Sequence, residues 1–540
     1  AGYWALVHLQ RAGYPIGFRR LVQQRPFGEE PVRCTILVKS SDRDRFVGDI
    51  RYSDRHGVTY AILEGVEGRF LETAVGLETA VGLEPAVGLE PAVGLERGPG
   101  SNGHHHHHHH GNGKPKNGDA VQSRAEVSAE RCEIARFPEV EALEQRLEMA
   151  KLIGLQNPYF ALHEGTARNR SVVEGVEMIN FSSYNYLGFS GHPEVIAAAQ
   201  EAIARYGTSV SASRVASGER PIHRQLERGL AEHLGVEDAV VLVSGHATNV
   251  TTIGTLLGPE DVVVHDSLIH ESILAGIRQS GAARRPYPHA SYEALDRTLG
   301  QVRGAYRRAL IVAEGIYSMD GDICDLPRLI ELKQRHRALL MIDEAHSIGV
   351  LGPRGEGVGH HFPSVDPRDV DIWMGTLSKS FASCGGYIAG STALVRFLKY
   401  SAGGFVYSAG ITPPNCAAAL KALELMRRHP ETVERLRKTS RLFLELARAR
   451  GLDTGLAVGA AVVPVIVGNS IHALQLGAAL AKRRVNVNPI VYPAVEDDAA
   501  RLRFFLSATH TEDEVRQAVE ATAEELARIR EGGGVSASVP

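Results

Sequence analysis

The sequence has few cysteines, little net charge and no long apolar run. Its five cysteines are scattered without a CxxC pair, which argues against a zinc site and a disulfide framework and favours a reducing cytoplasm. A net charge of −4 argues against a nucleic-acid surface and an anionic-membrane anchor. The longest apolar stretches, such as residues 460–467, are far shorter than the ~20 residues of a membrane helix. The first residues lack the basic start and cleavage site of a signal peptide, and without an initial methionine we expect a fragment of something longer.

The chain is long enough for more than one domain, with 540 residues of which 44% are apolar. Residues 72–95 repeat Glu-Thr/Pro-Ala-Val-Gly-Leu, and seven histidines follow at 104–110. Four six-residue repeats bury too little for a β-helix, and the rest is flexible by composition. We therefore expect residues 70–125 to be a low-complexity linker. The histidine run is better explained as natural linker than as a metal site, and a purification tag is the remaining alternative.

Residues 1–69 form a first piece with strand-like runs at 31–39, 45–52 and 57–65 and a turn at 54–57. The piece is too small for a comfortable core. It weakly resembles the last strands of a polyketide synthase hot-dog dehydratase, without that fold's catalytic residues. A small independent β module is the alternative.

From residue 126 onward, strands alternate with helices in the rhythm of a parallel sheet. An amphipathic helix is predicted at 129–152, and later helices at 193–206 and 223–234. Strands are predicted at 238–243, 261–264, 309–313, 339–342 and 371–374, and near 463–467 and 502–507 after a long helical stretch from 413 to about 450. The fold class is thus α/β, with a smaller α+β domain at the end. The glycine-rich segment 352–359 matches neither phosphate-loop spacing and is interpreted as a turn.

Lys379 and Asp343 give the strongest indication of chemistry. Lys379 lies in Gly-Thr-Leu-Ser-Lys-Ser-Phe-Ala-Ser-Cys-Gly-Gly-Tyr (375–387), and Asp343 ends the apolar run 338–342. A lysine between small residues and glycines can form a Schiff base with an aldehyde. An aspartate at the end of a buried strand is costly to ionise unless it meets a cation, such as a protonated pyridine nitrogen. Together they predict a pyridoxal phosphate site. Taken singly, a loop lysine and a Walker-B-like or helix-capping carboxylate are the simpler interpretations.

Seven segments in one order resemble the α-oxoamine synthases, a branch of the fold-type I pyridoxal phosphate enzymes that includes serine palmitoyltransferase and aminooxononanoate synthase. The likeness covers roughly residues 150–530, and the segments are 180–188, 207–214, 244–249, 265–272, 314–322, 342–349 and 501–510. The resemblance implies a helical arm at 126–180, a large cofactor-binding domain at 181–415 and a small C-terminal domain at 416–540. With the dehydratase-like head, it suggests a polyketide-synthase-associated member.

The resemblance also implies roles for individual residues. Lys379 would hold the cofactor and remove the α-proton, which requires a lowered amine pKa, and Asp343 would keep the ring nitrogen protonated. His270 would stack on the ring and His346 would lie by its hydroxyl group. The other residues implied to contact the cofactor, mostly at its hydroxyl or phosphate, are Gly245, His246, Ser318, Thr376 and, from the neighbouring subunit of a homodimer, Ser408.

Two further residues are implied to bind the carboxylate of the amino acid. These are Asn185 and Arg503, and Arg501 competes for the second role because it lies two residues away on the same strand face. One departure from the family concerns His246, where relatives place an aromatic residue or a cysteine, and this leaves the second stacking contact on the ring in doubt. No metal is expected.

The implied reaction is a decarboxylating condensation of a small L-amino acid with an acyl thioester, giving an α-aminoketone. Coenzyme A or an acyl carrier protein would carry the acyl group, and the head favours the carrier protein. An aminotransferase or an aldolase on the same fold is the alternative, since both require Lys379 and Asp343. A subunit that has lost the cofactor is the non-enzymatic alternative, which the presence of Lys379 disfavours.

Overall fold

The computed structural model divides the chain into two units, Ala1–Asp119 and Ala120–Pro540. It describes residues 128–152 and 157–532, together with the backbone of five strands between residues 15 and 69. The predicted turn at 54–57 and the linker at 70–125, with its repeat and histidine run, lie outside the described residues.

The first unit contains an antiparallel sheet. Strands β3, β4 and β5 correspond to the three predicted runs, and two short strands, β1 and β2, both pair with β5. The sheet order is β1-β5-β4-β3. The bounds are Pro15–Gly17 (β1), Arg20–Gln23 (β2), Arg33–Ser41 (β3), Arg45–Ser53 (β4) and Thr59–Arg69 (β5).

The second unit begins differently from the predicted helical arm. Helix α1 spans Pro138–Leu152, after two 3₁₀ turns at Ala129–Arg131 and Ile134–Arg136. The residue before a proline disfavours helical geometry and a proline fits the first turn, so the helix begins at Pro138 and not at 129. No residue of α1 is buried, so its predicted amphipathic packing is not observed. The later part of 126–180 is not helical, because it forms the antiparallel strands His163–Glu164 (β6), Arg170–Val173 (β7) and Val176–Asn180 (β8).

A seven-stranded sheet forms the centre of the second unit. Its order is β11-β10-β12-β13-β14-β15-β9, and only β15 runs antiparallel to its neighbours. Strands β10, β12 and β14 are buried at every residue, as expected of inner strands covered by helices on both faces. The bounds are Asp238–Leu242 (β9), Val262–Asp266 (β10), Ala283–Tyr287 (β11), Ala309–Glu314 (β12), Leu339–Asp343 (β13), Ile372–Thr376 (β14) and Gly386–Gly390 (β15).

The helices around this sheet follow its strands. Prolines in the first turn mark the starts of α2, α3 and α7, where the missing N–H costs nothing. The bounds are Pro193–Tyr206 (α2), Pro221–Leu234 (α3), Gly245–Leu256 (α4), Glu271–Ser280 (α5), Tyr292–Val302 (α6), Leu326–His336 (α7), Thr392–Ser401 (α8) and Gly403–Val406 (α9).

The C-terminal part contains two small sheets. The predicted helical stretch from 413 to 450 is two helices, Pro413–Arg428 (α10) and Pro430–Ala449 (α11), because Pro430 cannot continue the preceding helix. One sheet has the order β16-β19-β18, and β17 adds to the strands of the arm in the order β17-β8-β7-β6. The bounds are Val462–Ile466 (β16), Ser470–Lys482 (α12), Val485–Asn486 (β17), Pro489–Ile490 (β18), Arg501–Phe505 (β19) and Glu512–Arg530 (α13).

An aromatic cluster joins the arm to the C-terminal part. The ring of Phe504 lies 5.5 Å from Phe181 and 4.7 Å from Phe443, and Phe181 stacks on His510 at 4.3 Å. Each such pair contributes about 0.5–1.5 kcal/mol beyond its buried area. Phe181 precedes the loop 182–188 and Phe504 lies on β19, so the cluster packs these two segments against each other.

Candidate active site

The carboxyl ends of three neighbouring strands bring polar residues together. Glu314 ends β12 and pairs in register with Asp343, which ends β13, and Thr376 ends β14. Ligands gather at this edge of an open α/β sheet. The predicted positions of Asp343 and Thr376 at strand ends agree with the structure.

Lys379 lies beyond the end of β14 in a chain of hydrogen bonds. Its Nζ is 2.8 Å from Nε2 of His346, whose Nδ1 is 2.7 Å from the hydroxyl oxygen of Tyr186. The ring of Tyr184 lies 5.4 Å from Nζ. His346 was assigned to this site from the sequence, whereas Tyr184 and Tyr186 were given no role.

Burial lowers the pKa of the Lys379 amine to about 8, although Asp343 and Glu314 act in the opposite direction. Arg503 adds to the lowering. Burial, followed by the charges of Lys379 and Arg503, holds the pKa of His346 well below 6.5. About a tenth of Lys379 is therefore uncharged at pH 7, far more than for an exposed lysine, and the free amine is the form that a base or nucleophile requires.

Asp343 is oriented by two neutral donors. Its Oδ2 accepts from Nδ2 of Asn249 at 3.0 Å, and its Oδ1 accepts from the backbone N–H of Ala345 at 2.9 Å. The carboxylate is 4% exposed and forms no ion pair with a described residue. A buried carboxylate held in this way is suited to a cationic partner.

His270 caps helix α5. Its Nδ1 accepts from the backbone N–H of Ser272 at 3.2 Å and lies 2.7 Å from that residue's hydroxyl. The Ser272 hydroxyl also accepts from Asn249 at 2.9 Å. Burial, with the charges of Lys379 and His246, lowers the pKa of His270 although Asp343 opposes it. A neutral ring is therefore fixed beside Asp343.

The first turn of α4 meets the end of β14. Ser244 caps the helix by accepting from the N–H of Ala247 at 3.4 Å, and Gly245 and His246 are its first two residues. A Cβ on Gly245 would lie 2.8 Å from Oγ1 of Thr376. The free N–H groups and the dipole of a helix N-terminus favour an anion such as phosphate.

The two arginines of β19 differ in their partners. Arg501 donates to Asp320 at 2.6 Å and to the carbonyl of Met319 at 3.1 Å. Arg503 donates to the carbonyl of Ser318 at 2.8 Å, and its Nε has no hydrogen-bond partner among the described residues. Of these two arginines, Arg503 is thus the one whose guanidinium group has no carboxylate partner among the described residues. This favours Arg503 over Arg501 as the ligand of a substrate carboxylate.

Asn185 has an amide that is already engaged with the backbone. Its Nδ2 donates to the carbonyl of Ala167 at 2.6 Å, and its Oδ1 accepts from the N–H of Ser190 at 3.1 Å. One amide hydrogen is left for a ligand. Asn185 also lines a cavity of about 360 Å³ together with Lys379, Tyr184 and Ser378.

Glu314 is a site residue that sequence reasoning missed. It is 3% exposed, its Oε2 accepts from the N–H of Ser318 at 3.3 Å, and its Oε1 has no partner among the described residues. Burial and the neighbouring Asp343 raise its pKa to about 8. Its place directly after the apolar run 309–313 was a signal in the sequence, whereas its register with Asp343 became visible only in the structure.

Two predicted residues form no hydrogen bond with this cluster among the described residues. Ser408 donates to the carbonyl of its neighbour Ala409, and His246 is exposed. Ser408 was expected to act from a second subunit.

The residues present fit pyridoxal phosphate. The half-buried amine of Lys379 is suited to bind the aldehyde of the cofactor, and the buried carboxylate of Asp343 is suited to its ring nitrogen. The helix N-terminus beside Thr376 is suited to its phosphate. A Cβ at position 245 would overlap Oγ1 of Thr376, so the first turn of α4 can lie this close to Thr376 only with glycine there.

Comparison with known proteins identifies the family of this chain. The family model for aminotransferase class I and II matches residues 176–521. The 8-amino-7-oxononanoate synthase of Symbiobacterium thermophilum is 40% identical over 381 residues, which are 71% of this chain and 96% of the relative. The serine palmitoyltransferase of Sphingobacterium spiritivorum is 36% identical over 362 residues, 67% of this chain and 90% of the relative.

Solved structures of serine palmitoyltransferases are also similar to this chain. Serine palmitoyltransferase from Sphingomonas wittichii matches with a TM-score of 0.70 and 28% identity, covering 74% of this chain and 99% of that chain. A high-resolution structure of SPT with PLP as an internal aldimine matches with a TM-score of 0.70 and 28% identity, covering 75% of this chain and 100% of that chain.

Proposed function

The chain belongs to the α-oxoamine synthases, pyridoxal phosphate-dependent acyltransferases of aminotransferase class I and II that condense an amino acid with an acyl thioester and release CO₂, and we propose which residues of this chain perform that reaction and which substrates it uses. When bound, pyridoxal phosphate supplies the electron sink for the carbanion of the amino acid. Lys379 carries the proposal, because its amine lies at the cavity with a pKa of about 8.

Lys379 would bind the cofactor and, as the free amine, would accept the α-proton of the amino acid. Asp343 would keep the ring nitrogen protonated, and Asn249 and Ala345 fix the direction of its two oxygens. His270 would stack on the ring and His346 would lie by its hydroxyl group.

The remaining residues orient the two substrates and the phosphate. Arg503 and Asn185 bind the carboxylate of the amino acid until it leaves as CO₂, and the unpartnered Nε of Arg503 supports this role. The first turn of α4, with Gly245 and His246, and the hydroxyl of Thr376 bind the phosphate. Ser318 contacts the ring hydroxyl or the phosphate.

A small amino acid fits the cavity best. Its volume is about 360 Å³, and Ser182, Ser183, Ser378 and Ser383 are among the residues that line it. A large side chain would leave these hydroxyl groups buried without water.

A homodimer is proposed because Ser408 contacts no other predicted site residue within one chain. Nearby side chains are apolar and exposed, with Tyr407 at 91% and Tyr400 at 78%. Burying such a surface against a second copy is favourable, and it brings the partner's copy of this segment to the site.

An acyl carrier protein is proposed as the acyl donor, within a polyketide assembly line. The support is the antiparallel first unit at Ala1–Asp119, together with the likeness of its sequence to the end of a dehydratase. The cytoplasm is the proposed location, because Cys132, Cys324, Cys384 and Cys416 are free thiols and free thiols fit a reducing compartment.

Product analysis tests the proposal. The full chain is incubated with pooled L-amino acids and acyl thioesters, and the products are identified by mass spectrometry. An α-aminoketone with released CO₂ and free thiol is expected. A ketoacid without CO₂ would show transamination and would overturn the proposal. No helix in the described part of the chain is long and apolar enough to cross a membrane.

A further inference from the structure

The buried hydroxyl of Tyr186 begins the hydrogen-bonded chain that ends at Lys379. Tyr186 is 0% exposed. Its hydroxyl lies 2.7 Å from Nδ1 of His346, and Nε2 of the same ring lies 2.8 Å from Nζ of Lys379. Each of these groups has a fixed capacity to donate or accept, so the position of one proton decides the others.

The Tyr186 hydroxyl must be the donor of the first bond. His346 Nδ1 is its hydrogen-bond partner among the described residues. If Nδ1 carried a proton and donated it, the O–H of Tyr186 would be buried without an acceptor, which costs ~1–3 kcal/mol. Burial raises the pKa of Tyr186 well above 10, so the hydroxyl keeps its proton. Nδ1 is therefore bare, and the proton of the neutral imidazole is on Nε2.

The second bond then requires an uncharged lysine. An Nε2–H group needs a lone pair, and an ammonium group has none. A doubly protonated His346 is disfavoured by burial and by the positive charge of Arg503, and its pKa lies well below 6.5. The other titratable groups that face it are Lys379 and His270.

We propose that Tyr186 is a positioning residue that fixes the proton of His346 on Nε2 and so favours the free amine of Lys379 over its ammonium form. The inference deepens the proposed function, because it concerns the lysine that binds the cofactor and removes the α-proton. The other charged groups that face Lys379 are Asp343, Glu314 and Arg503. A change of Tyr186 to phenylalanine leaves all three in place.

The test uses the full chain freed of pyridoxal phosphate. Competitive labelling of its amines at a series of pH values, with the Lys379 peptide quantified by mass spectrometry, gives the titration midpoint of that amine. The rate at which added pyridoxal phosphate becomes covalently bound is followed in parallel by visible absorbance. Neither readout depends on turnover, so both remain interpretable if the product assay fails.

Tyr186→Phe should raise the midpoint from about 8 by about one pH unit. Without the hydroxyl, His346 can place its proton on Nδ1 and offer a bare Nε2 to the ammonium form of Lys379. At pH 7 the covalent capture of the cofactor should slow about tenfold.

Tyr184→Phe is the matched control. Tyr184 is in the same loop, and its ring lies 5.4 Å from Nζ of Lys379 and 6.1 Å from His346. The substitution keeps the ring and removes a hydroxyl that lies outside the Tyr186–His346–Lys379 chain. The titration midpoint of the Lys379 amine in this variant should match that of the unchanged protein.

A second measurement needs no variant. The ¹⁵N shifts of His346 distinguish a bare nitrogen from a protonated one, and the proposal requires a bare Nδ1. A proton on Nδ1 in the unchanged chain would overturn it, as would an unshifted midpoint in Tyr186→Phe or equal shifts in both tyrosine variants. If Tyr186→Phe does not fold, the ¹⁵N measurement decides alone.

Discussion

Lys379 is the residue on which the proposed chemistry most depends. Lys379→Ala should abolish covalent cofactor binding, because among the described residues no other lysine lines the cavity. Loss of the base alone costs ~10²–10⁴ in rate. The measurement is the visible absorbance before and after borohydride, with Lys438→Ala as the control, since Lys438 is exposed and pairs with Glu512 on the surface. A visible band in Lys379→Ala that borohydride removes would mean that another lysine holds the cofactor.

Two buried glutamates should make the stability depend on pH. Burial raises the pKa values of Glu314 and Glu344 to about 8, from 4.5 when exposed. For an acid shifted upward, stability is fully present below 4.5 and is lost as pH rises toward 8, because the unfolded chain releases the protons first. At about 1.4 kcal/mol per pKa unit, the loss is at most ~5 kcal/mol for each group.

Glu314→Gln should therefore unfold less readily than the unchanged chain at pH 9 and equally readily at pH 5. Thermal unfolding across this range measures the difference. Glu344→Gln is the comparison, because that carboxyl is bonded to Ser347 and to the N–H of Val358 and lies away from the cavity. Both variants should flatten the pH profile, but only Glu314→Gln should alter the spectrum of the bound cofactor. A profile unchanged in Glu314→Gln would contradict a neutral Glu314.

At the residue scale, the sequence predicted the groups that carry charge or a distinctive motif and missed those that act through a neighbour. Lys379, Asp343 and His346 were predicted, and the structure brings them to one edge of the sheet. Tyr186 and Glu314 lie within the quoted motifs, yet a tyrosine among apolar residues and an acid ending a strand have ordinary structural explanations. Their partners are distant in sequence, as the 160-residue separation of Tyr186 and His346 illustrates.

Among the elements, helix α4 packs its first turn tightly against the end of β14. A Cβ on Gly245 would lie 2.8 Å from Oγ1 and 3.1 Å from Cβ of Thr376. Thr376 cannot easily turn away, since its Oγ1 donates to the carbonyl of Gly385. Gly245→Ala should thus move the first turn of α4 from β14 and weaken cofactor binding about tenfold or more. Equilibrium binding of pyridoxal phosphate to the cofactor-free chain measures this.

Gly254→Ala provides a control in the same helix. A Cβ there would approach only the flexible side chain of Gln279, at 3.2–3.4 Å, and alanine is the better helix former by up to about 1 kcal/mol. Cofactor binding should be unchanged and the melting temperature equal or higher. Equal losses of affinity in both variants would indicate a general loosening of α4 and not a specific contact at its first turn.

Elements with a local signal were predicted well. The alternation of strands and helices gave five of the seven strands of the large sheet within a few residues, and Pro193–Tyr206 was predicted with its observed bounds. Strands β11 and β15 were not predicted. The break at Pro430 and the start of α1 at Pro138 were missed although both prolines were visible, because periodicity continues across them. Strands β6–β8 were missed because they are short and are completed by β17, about 300 residues later.

At the scale of the whole molecule, every residue of the candidate site lies in the second unit, Ala120–Pro540. The large sheet, its helices and the aromatic cluster around Phe504 are built entirely from that unit. A chain that begins at residue 126 should therefore fold, bind pyridoxal phosphate and dimerise. It should also condense an amino acid with a freely diffusing acyl thioester.

The first unit should matter only for the delivery of the acyl group. If it is the end of an assembly-line domain joined through a flexible tether at 70–125, its removal eliminates the raised effective concentration of a linked donor, which reaches ~mM for short flexible linkers. Turnover is compared for carrier-protein-bound and coenzyme-A-bound forms of one acyl chain, in the full chain and in the chain from residue 126. The full chain should prefer the carrier protein, and the shorter chain should lose that preference while keeping its rate with coenzyme A. Equal use of both donors by the full chain would refute the assembly-line proposal, whereas failure of the shorter chain to fold would show that the boundary between the units is misplaced.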